Sequence, residues 1–111
     1  MPDKQIADYL RQYCKGEYRA VTSRELKTIF GIRSRELRGI VNRLRGGGVP
    51  ICSAKFGYFY AGNEQELSRT IQQLTSRIKK IAAARRGLIS AQALITDDGQ
   101  TRLPLEGGDS P

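Results

Sequence analysis

One glycine between two amphipathic segments constrains this chain more than any other feature. Upstream of Gly31, Thr22 and Glu25 have the three-residue spacing of a capping box. This predicts a helix through Ser23 to Phe30 with Leu26, Ile29 and Phe30 on one face. Downstream, Leu37, Ile40, Val41 and Leu44 recur at offsets of 0, 3, 4 and 7, which predicts a helix over 34–45 that the Gly46-Gly47-Gly48 run ends. Gly31 stops the first helix because glycine enters the left-handed region without steric cost. About three residues then join the two helices, so the chain must turn sharply.

The flanking segments supply the rest of the expected fold. An N-terminal helix follows Asp3 as N-cap, with Ile6, Leu10, Tyr13 and Cys14 at offsets of 0, 4, 7 and 8. After the break at Gly16, Ala20 and Val21 suggest a brief strand. Two β-prone runs, Val49 to Ser53 and Tyr58 to Ala61, flank Ala54-Lys55-Phe56-Gly57 and predict a hairpin with Gly57 near its turn. Asn63 with Glu66 starts a last helix, whose apolar residues Leu67, Ile71, Leu74, Ile78 and Ile81 alternate in steps of 4 and 3. Gly87 is expected to interrupt it, and the segment from there to Ile95 is ambiguous. The polar, Gly/Pro-rich stretch 96–111 is expected to be a disordered acidic tail.

A length of 111 residues suits one modest domain and excludes a large multi-domain enzyme. No apolar run approaches the roughly 18 residues of a membrane span, and the first ten residues do not resemble a signal peptide. A soluble, cytoplasmic protein with no membrane partner is expected. Cys14 and Cys52 lack the spacing of a metal or redox pair and are expected to be buried free thiols. Charge is more informative. The net charge is +8, with nine basic and two acidic residues between positions 19 and 55, and five basic and no acidic residues between 77 and 87. Such blocks favour polyanionic partners. The chain has no His, and no nucleophile–base pair, phosphate-binding Gly-Lys loop or metal constellation stands out. Neither enzymatic activity, nor a cofactor, nor a metal site is therefore expected.

Counted from Gly31, the apolar residues Leu26, Phe30, Ile32, Leu37 and Ile40 lie at −5, −1, +1, +6 and +9. This pattern resembles a DNA-binding helix-turn-helix. Lys27 at −4 departs from it, because such motifs place Ala or Gly there; it calls for a wider crossing or a snorkelling stem. Taken with the short strand and the hairpin, VTSRELKTIFGIRSRELRGIVNRLRGGGVPICSAKFGYFYA resembles the winged helix-turn-helix family, especially the DNA-binding domain of biotin repressor-like regulators. The resemblance covers about residues 5–62. It implies an α+β fold with a three-helix core and a two-stranded β wing, here with an additional long C-terminal helix, and duplex binding with one helix in the major groove. It implies no biotin chemistry, since a ligase domain is not expected in so short a chain.

Helical geometry at about 100° per residue, with Leu37, Ile40 and Leu44 facing the core, centres Arg35, Gly39 and Asn42 outward and places Arg38 and Arg43 beside them. Arg matches guanine O6 and N7, and Asn matches adenine N6 and N7. Arg35, Arg38, Gly39 and Asn42 are therefore the expected base contacts, with Gly39 allowing close backbone approach. Ser23, Arg24, Arg33, Ser34, Arg43, Arg45 and Lys55 are the expected phosphate contacts, and the 50–61 hairpin would track the backbone or minor groove. A solvated helix face is the alternative, but five Arg against one Glu between 33 and 45 exceed what solubility requires. Phe56, Tyr58, Phe59 and Tyr60 serve either the core or base stacking, with the core favoured.

The apolar stripe Leu67, Ile71, Leu74, Ile78 and Ile81 serves either homodimerisation or packing on the chain's own helices. The cluster Arg77, Lys79, Lys80, Arg85 and Arg86 is either a second nucleic-acid contact or a wet face. The expected organisation is a winged helix-turn-helix over 1–62, a C-terminal helix over 63–86 and the tail over 96–111. The expected function is sequence-preferring binding of double-stranded DNA in transcriptional regulation. A phage- or plasmid-type origin-binding or accessory replication protein is one alternative, and a winged-helix protein-interaction adaptor is another of a different class.

Overall fold

The first amphipathic segment folds as α1 (Pro2–Tyr13) in a computed structural model, which describes residues 2–95. Ile6 and Leu10 on its apolar face are fully buried, and Cys14 just beyond it is nearly so. Two expectations fail here. Asp3 lies inside the first turn rather than capping it, and its carboxylate reaches across to Arg43. Tyr13, although in phase with the stripe, is 57% exposed, its ring tilted against Tyr9 at 5.1 Å.

A short 3-10 turn (Glu17–Arg19) leads into β1 (Val21–Thr22) and then α2 (Ser23–Phe30). The capping box at the start of α2 is complete. Thr22 Oγ1 accepts from the Glu25 amide at 3.0 Å, while the Glu25 carboxylate accepts from the Thr22 amide at 3.2 Å. Gly31 ends the helix in the left-handed region at φ 63°, ψ 41°. α3 (Ser34–Gly46) follows, then β2 (Ile51–Ser53) and β3 (Gly57–Tyr60).

The sheet has three antiparallel strands in the order β1-β3-β2, one more than a two-stranded wing. β1 has only two residues and is completed by pairing Val21 with Tyr58 and Thr22 with Gly57. β2 pairs with β3 through Ile51–Tyr60, Cys52–Phe59 and Ser53–Tyr58. Gly57 opens β3 at the end of the hairpin turn, as expected, its carbonyl accepting from the Ala54 amide at 2.8 Å. A Cβ there would lie 2.6 Å from Thr22 Cα and overlap the Val21 carbonyl, so only glycine allows β1 to approach this closely. Helices and sheet enclose a core of Ile6, Leu10, Leu26, Leu37, Ile40, Val41 and Ile51.

α4 (Glu64–Ala91) continues through Gly87 and gives way to a 3-10 turn (Gln92–Leu94), so the expected interruption does not occur. One helical glycine costs about 1 kcal/mol, which good helix formers on both sides absorb. The Asn63 side chain accepts from the Glu66 amide at 2.9 Å. The Glu66 carboxylate binds the Gly62 and Glu17 amides at 2.8 and 3.0 Å. These backbone N–H groups hold its carboxyl below the ordinary range for Glu. The chain divides into two compact units, Met1–Gln73 and Leu74–Pro111. The first extends beyond the expected boundary at 62 because the start of α4 is bound to it: buried Thr70 accepts from the Ser53 amide at 3.2 Å. Among the described residues no helix is long and apolar enough to cross a membrane. The expected acidic tail over 96–111 lies outside the described residues.

Candidate nucleic-acid interface

The sharp turn at Gly31 determines which face of α3 meets the chain's own core. Leu37, Ile40 and Val41 are at most 1% exposed, so the opposite face must point outward. Arg35, Arg38 and Asn42 occupy that face, are exposed, and their side chains make no hydrogen bond or ion pair among the described residues. Gly39 between them is half-buried, and a Cβ there would meet Arg43 Nη1 at an ordinary 3.5 Å. Space inside the fold therefore does not require a glycine at this position.

The turn itself is braced by Lys27. Its stem is half-buried and its Nζ donates to Ser34 Oγ at 2.8 Å, tying the last turn of α2 to the first residue of α3. The snorkelling stem accommodates the residue that departs from the helix-turn-helix pattern. Arg24, Lys27, Thr28, Ile32, Arg33 and Ser34 line an open depression at this turn. Three cations thus surround the N-terminus of α3, whose free amides already favour an anion. Arg24 and Arg33 are exposed, and their guanidinium groups make no hydrogen bond or ion pair among the described residues. Ser23 is tied in, its amide donating to the Phe56 carbonyl at 2.9 Å.

Two of the arginines expected to contact phosphate have partners within the fold. Arg43 makes a two-toothed ion pair with Asp3, Nε to Oδ2 at 2.8 Å and Nη2 to Oδ1 at 3.2 Å. The guanidinium hydrogen bond holds the Asp3 carboxyl below its ordinary range and raises the already high pKa of Arg43. Arg45 is half-buried, donating to the Ile51 carbonyl at 2.8 Å and to Ser53 Oγ at 3.0 Å, with its guanidinium 5.9 Å from the centre of the Tyr58 ring. It fastens the end of α3 to β2 and β3.

At the hairpin tip, Lys55 and Phe56 are exposed, with Lys55 Nζ 5.3 Å from the Phe56 ring centre. Phe59 is buried while Tyr58 and Tyr60 are half-buried, so the strand aromatics serve the core and only Phe56 stands in solvent. No family model, curated protein or solved structure matches this chain. What the site can do is thus read from its own chemistry.

That chemistry is electrostatic and hydrogen-bonding. Among the described residues no cluster of three or more His, Cys, Asp or Glu could hold a metal ion. Cys14 and Cys52 are buried free thiols, and burial pushes both above the ordinary thiol range, away from the nucleophilic thiolate. Sequence reasoning missed two features: Lys27 as the bridge to Ser34, and Asp3 as the partner of Arg43. The seven-residue spacing of Lys27 and Ser34 across a glycine turn was an available signal for the first. Nothing local signals the second, a contact between residues 40 apart.

Of the proposed dimer stripe, Leu67 and Leu74 are half-buried, whereas Ile71, Ile78 and Ile81 are 54%, 65% and 62% exposed.

Proposed function

We propose that this protein is a winged helix-turn-helix that binds double-stranded DNA with sequence preference and regulates transcription. α3 would enter the major groove with Arg35, Arg38 and Asn42 against base edges, and Gly39 would allow its backbone to approach closely. Arg24, Arg33 and Lys27 would hold phosphates at the α2–α3 turn, while Lys55 and Phe56 at the hairpin tip would meet the backbone or minor groove. Arg43 and Arg45 are secondary, because Asp3 and the sheet already engage them.

One observation carries this reading. α3 is fully covered on one face, while its opposite face is an exposed row of bidentate hydrogen-bonding side chains with no partners among the described residues. A protein-docking adaptor would instead present apolar and aromatic side chains at the centre of that face, which α3 lacks.

Selection from random duplexes followed by footprinting tests the proposal. A recurrent motif is the expected outcome, and equal affinity for all duplexes would leave only charge attraction and overturn it. Protection of promoter DNA is expected, whereas protection confined to a replication origin would replace the regulatory role with a replicative one. Lys55→Ala should weaken all duplexes alike and reduce the salt slope of log K by about 1.

A further inference from the structure

The second compact unit contains a helical segment, residues 74–91 of α4, whose apolar side is open and whose charge has one sign. Ile78, Ile81 and Leu88 are 65%, 62% and 72% exposed, and a shallow, mainly apolar depression runs along Ile81, Leu88 and Ile89. Arg77, Lys79, Lys80, Arg85 and Arg86 accompany them, and no acidic residue occurs between Glu66 and Asp97. Spacing of about 100° per residue places Lys79 and Arg86 along one border of the apolar arc, Arg77 along the other, and Arg85 within it. The five cations form no ion pair among the described residues.

A second copy is a poor cover for this face. Parallel pairing would set Arg85 against its own equivalent in the seam, and antiparallel pairing about Ile81 would set Arg77 against Arg85. Neither arrangement brings a carboxylate near. A lipid surface offers no fixed carboxylate opposite Arg85. We infer that residues 74–91 dock an acidic amphipathic helix of another protein. That helix would lay apolar residues on Ile78, Ile81 and Leu88, flank them with carboxylates for Arg77, Lys79 and Arg86, and place one carboxylate opposite Arg85. This surface uses none of the α3 residues, so it stands independently of the DNA-binding proposal.

The test uses the full chain and two labelled four-heptad peptides, each with an Ile/Leu stripe and one central Glu in the stripe. One carries Glu at the flanking positions and the other Lys. Fluorescence anisotropy should show the Glu peptide binding more than about tenfold tighter. The Arg77→Glu/Arg86→Glu chain should reverse that order. Ile81→Ser/Leu88→Ser should weaken the Glu peptide by about tenfold or more, with unchanged circular dichroism because both side chains are exposed. Equal affinity for the two peptides, or binding of neither, would overturn the inference. So would tighter binding to phosphatidylserine vesicles than to the Glu peptide, or sedimentation as a dimer that Ile81→Ser breaks.

Discussion

α3 and the distal half of α4 are both rich in basic residues, yet they deploy their apolar residues in opposite ways. α3 buries Leu37, Ile40 and Val41 in the core of its own unit, so only its polar face remains for a partner. Residues 74–91 leave Ile78, Ile81 and Leu88 in water alongside the cations. Positive charge alone therefore does not identify a nucleic-acid surface. What distinguishes the two is whether the opposite face is already occupied, because a helix with one covered face offers hydrogen bonds and charge, whereas one with an open stripe also offers apolar area.

Substitution should separate the two helices. The largest effect is expected for Ile40→Ala, which opens a cavity at a fully buried site and should lower stability by about 2–5 kcal/mol in urea unfolding. A loss below about 1 kcal/mol would mean that α3 is not held as described. Next come Arg35→Ala and Asn42→Ala, each expected to cost about 1–3 kcal/mol on the selected duplex and little on unrelated ones, with folding unchanged. Gly39→Ala should stabilise α3 by about 1 kcal/mol, since a methyl group meets only the Arg43 side chain at ordinary contact distance. If duplex affinity then stays constant, the backbone does not approach DNA at this position; a loss on every duplex is the expected result. The smallest effect should be Ile81→Ala, within about 0.5 kcal/mol of the parent, because that side chain has little to lose on truncation.

Features fixed within a few residues were legible in the sequence. The capping box at Thr22, the stop at Gly31 and the buried positions of α3 all follow from spacing and side-chain chemistry, and the structure retains them. Arg45 was half legible: about 80° from Leu37 on the helical wheel, it stands on the shoulder of the core face, where a long side chain meets the sheet. Asp3 was misread as a cap because its actual partner, Arg43, is brought close only by the packing of α1 on α3. Gly87 was overweighted because a single unfavourable residue was set against a helix whose propensity sums over many neighbours. The brief strand expected at Ala20 and Val21 forms one residue later, as β1, but its pairing with the hairpin was not legible because two residues carry no periodicity; Gly57, read only as a turn residue, also makes room for it.

That tight seam at Gly57 also has a mechanical consequence. The adjacent Phe56 carbonyl accepts the Ser23 amide, so the tip of the hairpin is latched to the first residue of α2, and α2 is locked to α3 through Lys27 and Ser34. A push on Lys55 or Phe56 would therefore be passed along this chain of hydrogen bonds toward the helix bearing Arg35 and Asn42.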